Sequence, residues 1–130
     1  MLFRSVPDIT STGDQKNNDY VIFRLGDVML MKAEAILRGG TSASTALSIV
    51  NSLRAARTAT PLAAVTLDNV LDERGRELYW EGWRRNDLVR FGKFLAPWQL
   101  KAASGSQRLL FAIPAEQLAL NPNLKQNPGY

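Results

Sequence analysis

Between Leu25 and Ile36 the apolar side chains return at the three- and four-residue steps of a helix. Leu25, Val28, Met29, Ala33 and Ile36 share one stripe with Lys32, and the small Ala33 and Ala35 leave room for a neighbouring helix. Arg38 followed by Gly39 and Gly40 supplies a basic last turn and a stop. The hydroxyls of "TSAS" at 41–44 offer N-caps for a second helix over 43–57, with Ala46, Leu47, Val50 and Leu53 facing inward. So short a joint makes the two helices antiparallel neighbours.

Pro61 marks the next loop. Thr66 is placed to cap a third helix whose first turn carries Asp68, and Leu67, Val70, Leu71, Arg74 and Leu78 fall on one face. Gly82 weakens or ends that helix, and "RRNDLVRFGKF" is expected to resume as a further one. Beyond Pro97 the pattern loosens. Gly105–Gln107 reads as loop, "RLLFAI" as a short extended piece, Pro114 as the opening of a last short helix, and "NPNLKQNPGY" as turns. Residues 1–20, with "TSTGDQKNND", read as loop. The expectation is an all-α chain: tetratricopeptide-like antiparallel helix pairs over 21–130, with an irregular C-terminal segment.

Composition narrows the chemistry. The 130 residues suit a single domain and contain no Cys and no His. Disulfides, thiolate ligands and the usual neutral-pH proton shuttle are therefore excluded, and a zinc site would have to be all-oxygen. No cofactor or metal is expected, and the absences weigh against an enzyme. The net charge of +4 comes from 16 basic and 12 acidic residues that are interleaved, which is not the footprint of a nucleic-acid binder. No apolar run reaches the length that spans a membrane, and "MLFRSVPDIT" does not have the form of a signal peptide.

The densest chemistry lies in "LDERGRELYWEGWRRNDLVRFGKF", residues 71–94. On a helix, Glu73, Glu77 and Glu81 form a stripe, and like charges at that spacing repel. Arg76 relieves Glu73, Arg84 and Arg85 relieve Glu81, and Arg74 can pair with Glu77. Arg74 itself falls on the apolar face, so it must find a partner; Arg24 and Asp27 on the first helix, or Arg54 and Arg57 on the second, mark where such pairing can occur. The enzymatic alternative makes Glu77 and Glu81 a glycosidase pair, with compatible spacing. Neighbours along one helix point the same way, however, and do not flank a substrate. A structural network of ion pairs explains the pattern better, with Trp80 and Trp83 as packing residues.

Four stretches in order, "FRLGDVMLMKAEAIL", "ALSIVNSLRAAR", "VLDERGRELYWEGWRRNDLVRFGKF" and "LLFAIPAEQLALNPNLKQNPGY", resemble the closing segments of the SusD/RagB family. Arg24, Asp27, Glu34, Asn51, Arg54, Glu73 to Arg85, and Asp87 to Arg90 match its motif positions. The resemblance implies a non-enzymatic, lipid-anchored nutrient-capture protein on the outer face of the bacterial outer membrane. It further implies a glycan or oligosaccharide ligand and a SusC-type TonB-dependent transporter as partner. Family members run to several hundred residues, so the chain corresponds to the C-terminal part only, and taken alone this piece is expected to be soluble. It carries neither the family's anchoring Cys nor most of the ligand-binding aromatics.

Within this part Trp98, next to Pro97 and outside the strong helical patterns, is the candidate ligand-binding residue; the alternative for it is anchoring a loop to the core. A free-standing helical protein-interaction module is the rival reading of the whole chain.

Overall fold

The computed structural model describes residues 21–40 and 42–130. The loop expected over residues 1–20 lies outside the described residues. The chain divides into two compact units, one ending at Leu78 and one running from Tyr79 to Tyr130.

In the first unit, α1 (Leu25–Arg38), α2 (Ala43–Ala56) and α3 (Leu67–Glu77) follow one another. Leu30, Ala33, Ala46, Val50, Leu53 and Val70 form the core, flanked by Met29, Ile36, Leu37, Ile49, Leu62 and Val65. The side chains shared by α1 and α2 make them the expected antiparallel pair, and α1 also packs on α3. At the start of α3, Thr66 and Asn69 form a reciprocal capping box: the Asn69 amide donates to Thr66 Oγ1 at 3.2 Å, and the Thr66 amide donates to Asn69 Oδ1 at 2.9 Å. Two otherwise orphaned N–H groups are thereby satisfied.

The face that α1 buries differs from the expected one. Leu25 is 75% exposed and Val28 is also exposed, whereas Gly26, Asp27, Leu30, Ala33 and Glu34 are buried. The helix is rotated because α3 offers Asp27 a cation, a pairing that hydrophobic spacing does not encode. Along α2, Ala46, Val50 and Leu53 are buried as expected.

Helix α3 ends at Glu77, before Gly82, so Glu81 lies off the helix and the three-glutamate stripe reduces to Glu73 and Glu77. The chain leaves α3 through Trp80 at φ 69°, a left-handed conformation costly for a bulky residue. Trp80 is 87% exposed, so it does not act as the packing residue anticipated for it.

The second unit holds α4 (Arg84–Arg90), a 3-10 turn (Ser106–Leu109) and α5 (Ala115–Leu120). Asp87 and Leu88 of α4 are buried, and Arg90 donates to Asp87 Oδ1 at 3.0 Å. The expected extended piece "RLLFAI" begins as the 3-10 turn and becomes extended only at Leu110. Pro114 caps α5 from just outside it. No strand forms among the described residues; Trp98 and Lys101 make an isolated antiparallel bridge.

Candidate functional site

The charged residues singled out from the sequence assemble, in the first unit, into three clusters in which each carboxylate faces a guanidinium. Arg74 of α3 reaches Asp27 of α1, Nη1 to Oδ1 at 2.7 Å, with both side chains almost wholly buried. Asp27 Oδ2 is buried and has no hydrogen-bond partner. Glu73 accepts from Arg54 of α2 and from Arg76 of its own helix, each at 2.7 Å. Arg54 also donates from Nε to the Thr60 carbonyl at 2.7 Å, which fixes the start of the α2–α3 loop.

Glu77 is the most heavily engaged. Its Oε1 accepts from Arg24 Nη1 at 2.5 Å and from Arg57 Nη2 at 2.7 Å, and Oε2 accepts from Arg57 Nε at 3.0 Å. Arg24 additionally donates to the Glu77 backbone carbonyl, which closes the last turn of α3. Burial pushes the Glu77 carboxyl up, but the hydrogen bonds and charges of Arg57 and Arg24 outweigh it, and the net displacement is downward. The hydrogen bond and charge of Glu77 in turn raise Arg57. A carboxyl held ionised by two guanidiniums is a poor proton donor, and Glu81 does not share its helix. The glycosidase arrangement is therefore not assembled. Arg74 pairs with Asp27, and the Glu77 carboxylate, the other acidic group within its reach along α3, is taken by Arg24 and Arg57.

Three participants were not readable as such. Gly26 is buried because α1 starts against the Arg24–Glu77 pair: a Cβ there would lie 2.7 Å from Arg24 Nη1 and 2.8 Å from Glu77 Oε1. Glu34 is buried and receives Arg38 Nε at 2.7 Å. Asn51, noted only as a motif position, uses its carboxamide as a stand-in for a peptide group. It donates to the Leu62 carbonyl at 3.0 Å and accepts from the Leu62 amide at 2.8 Å.

Trp98 lies in the second unit, 45% exposed. Its backbone pairs with Lys101 in both directions, at 3.0 and 2.6 Å. The Lys101 ammonium sits 5.2 Å from the Trp98 ring centroid while donating to the carbonyls of Ala96 and Ala102. This turn fixes the indole by its backbone and by a cation–π contact, and leaves nearly half of it open. Among the described residues no group of three or more acidic side chains is placed to hold a metal ion, and no helix is long and apolar enough to cross a membrane.

A model of the SusD family matches residues 1–107. The starch-binding protein SusD of Bacteroides thetaiotaomicron is 36% identical over an alignment covering 98% of this chain and 24% of that protein. A SusD-like protein of Formosa agariphila is 30% identical, over 88% of this chain and 25% of its own length. Among solved structures, a surface glycan-binding protein A from Bacteroides uniformis superposes with a TM-score of 0.75 at 30% identity, covering 86% of this chain and 28% of that one. A SusD superfamily protein from Parabacteroides distasonis gives 0.74 at 30% identity, over 85% and 27%. The chain spans about a quarter of the length of the curated relatives it matches.

Proposed function

The chain belongs to the SusD family, and from that membership we propose that it is the C-terminal helical part, over residues 21–130, of a non-enzymatic glycan-capture protein of the bacterial cell surface. The observation that carries this is the alignment, over nearly the whole chain, with a protein named for binding starch. The surface glycan-binding name of a structural neighbour points the same way. The parent is anchored by lipid to the outer face of the outer membrane and hands its oligosaccharide to a SusC-type TonB-dependent transporter.

The ion-pair clusters support a scaffold role, because the two buried glutamates of α3, Glu73 and Glu77, are both held by arginines and neither is turned toward a substrate. Trp98 is the residue of this piece that meets the ligand. Its open indole face suits the C–H face of a pyranose ring, while the Lys101 side supplies a cation and a fixed loop.

Native affinity electrophoresis in gels containing starch, or another soluble polysaccharide, tests the reading. Retardation of the chain, diminished by Trp98→Ala without loss of helical circular dichroism, is the expected result. Release of shortened sugars from the same polysaccharides would contradict the non-enzymatic assignment. Failure of the chain and of its SusD-length parent to be retarded by any polysaccharide would overturn glycan capture. Co-purification of the parent with the transporter tests the partner separately.

A further inference from the structure

Residues 107–113 run from within the 3-10 turn into the extended stretch that begins at Leu110, without a neighbouring strand, and backbone polar groups in such a segment still need partners. Side chains supply them. Arg85 Nη2 donates to the carbonyls of Arg108 and Leu109, both at 3.1 Å. The Tyr130 hydroxyl lies 3.1 Å from the Gln107 carbonyl and 2.9 Å from that of Leu110, so its one proton is shared between them. Asn127 Nδ2 donates to the Phe111 carbonyl at 2.7 Å. Gln126 makes the closest imitation of a sheet partner: its Oε1 accepts from the Ile113 amide and its Nε2 donates to the Ile113 carbonyl, each at 2.9 Å. This is the two-way exchange of a hydrogen-bonded pair in an antiparallel ladder, and it repeats in the second unit what Asn51 does for Leu62 in the first.

We propose that Gln126, Asn127 and Tyr130, with Arg85, form a clasp that sets the backbone of residues 107–113, which makes the 126–130 segment a positioning element of this unit. Apolar burial does not hold the ribbon in place: Leu109 and Leu110 are exposed, and Phe111 is 71% exposed. Phe111 is instead covered on one face by the Arg85 guanidinium, 4.2 Å from its ring centroid, and Phe94 lies 5.0 Å from the same group. The polar contacts therefore decide the order of the ribbon, and they keep three apolar side chains at fixed places on the surface. Gly129 lets the clasp close. It has φ 88°, and a Cβ on it would lie 2.8 Å from Gln107 Cβ, so no other residue fits without displacing the 3-10 turn. Most of this machinery lies beyond residue 107, where the match to the family model ends.

Amide hydrogen exchange on the whole chain, read residue by residue, tests the clasp. The reporters are the Ile113 amide, bound to Gln126, and the Leu110 amide, bound to the Gln107 carbonyl. Tyr130→Phe removes a single oxygen, and Gln126→Ala removes both bonds to Ile113. At about fivefold per bond lost, Tyr130→Phe should speed the Leu110 amide about fivefold and Gln126→Ala the Ile113 amide about 25-fold, and in the double variant each reporter should exchange faster than in either single variant, with the amides of α2 unchanged. Gly129→Ala should reproduce the effect without deleting any hydrogen-bonding group. Unaltered exchange at Leu110 and Ile113 in the double variant would overturn the proposal. So would an equal acceleration in α2, because the residues would then act on global stability and not on the ribbon.

Discussion

Arg74 of α3 donates to Asp27 of α1 across 2.7 Å, with side-chain exposures of 3% and 1%. This contact ties the first residues of α1 to the last turn of α3, which are distant in sequence, and it determines which face of α1 turns inward. It also places a full charge pair beside the Leu30, Ala33 and Val70 core. Desolvating two ions costs several kcal/mol, so the pair is tolerable only while both members remain.

Removing one member should therefore cost far more than removing both. Asp27→Ala or Arg74→Ala should lower the unfolding free energy by about 3–5 kcal/mol. The double replacement Asp27→Leu with Arg74→Met should recover most of that loss, because similar volume is refilled with apolar atoms and neither member of the pair is left charged opposite a missing partner. Urea denaturation followed by circular dichroism gives the three values. Single and double variants of equal stability would show that the pair is not desolvated.

Glu77 should dominate the acid sensitivity of the first unit. Its carboxyl lies below the ordinary value of 4.5: burial raises it, but Arg57 and Arg24 together lower it by more. A depressed folded-state value means that its contribution to stability is complete above about pH 4.5. That contribution is lost as the pH falls through the folded-state value, because unfolding then takes up a proton. Between about pH 5 and pH 3 the urea midpoint of the parent chain should fall more steeply than that of Glu77→Gln. The variant should also be the less stable of the two at pH 7, where Arg24 and Arg57 face a neutral amide. Parallel pH profiles would contradict the assignment.

Gly26→Ala sets helix propensity against geometry. Inside a helix the exchange alone favours alanine by about 1 kcal/mol. Here the new methyl would come within 2.8 Å of Arg24 Nη1 and Glu77 Oε1 and push the pair apart. Hydrogen bonds to charged groups are each worth about 1.5–3 kcal/mol, so the displacement should win and the variant should be net destabilised by about 1–2 kcal/mol. Its acid profile should shift toward that of Glu77→Gln, a signature that a simple cavity or packing defect would not give. A stabilised Gly26→Ala would show that Arg24 finds another route to Glu77.

What could be read from the chain follows how local each interaction is. The Thr66 cap and the end of α1 at Arg38–Gly39 depend on neighbours a few residues away, and the structure forms both. The pairing of Arg74 was legible for another reason. A guanidinium on an apolar face must have a counter-charge, and few candidates existed. The rotation of α1 was not legible, because Leu25 and Val28 satisfy the helical period as well as Gly26 and Leu30 do; the choice rests on a charge contributed by α3. Trp80 failed similarly: its size suggests burial, and only the early end of α3 turns it outward. Trp98, singled out for its place after Pro97, does sit in a loop with part of its ring open, but that placement is a property of the Lys101 turn and not of the aromatic pattern.

Asn51 provides the sharpest separation of hydrogen bonding from packing in the first unit. Its carboxamide pairs with both polar groups of Leu62, at 3.0 and 2.8 Å, and so pins the loop that delivers Val65 and Thr66 to the start of α3. Asn51→Asp retains the acceptor for the Leu62 amide but loses the donor to its carbonyl, and Asn51→Ala loses both. A partly buried carbonyl left without its donor costs about 1–3 kcal/mol. The order of stability should therefore be Asn, then Asp, then Ala, with Asn51→Ala about 2 kcal/mol below the parent chain. Because Leu62 packs on the core cluster, the loss should also appear as faster amide exchange at Leu62 than at Leu53. If Asn51→Leu, similar in volume and with no polar atoms, matched the parent in stability, the side chain would be filling space, and the carboxamide would not be acting as the missing peptide partner of the loop.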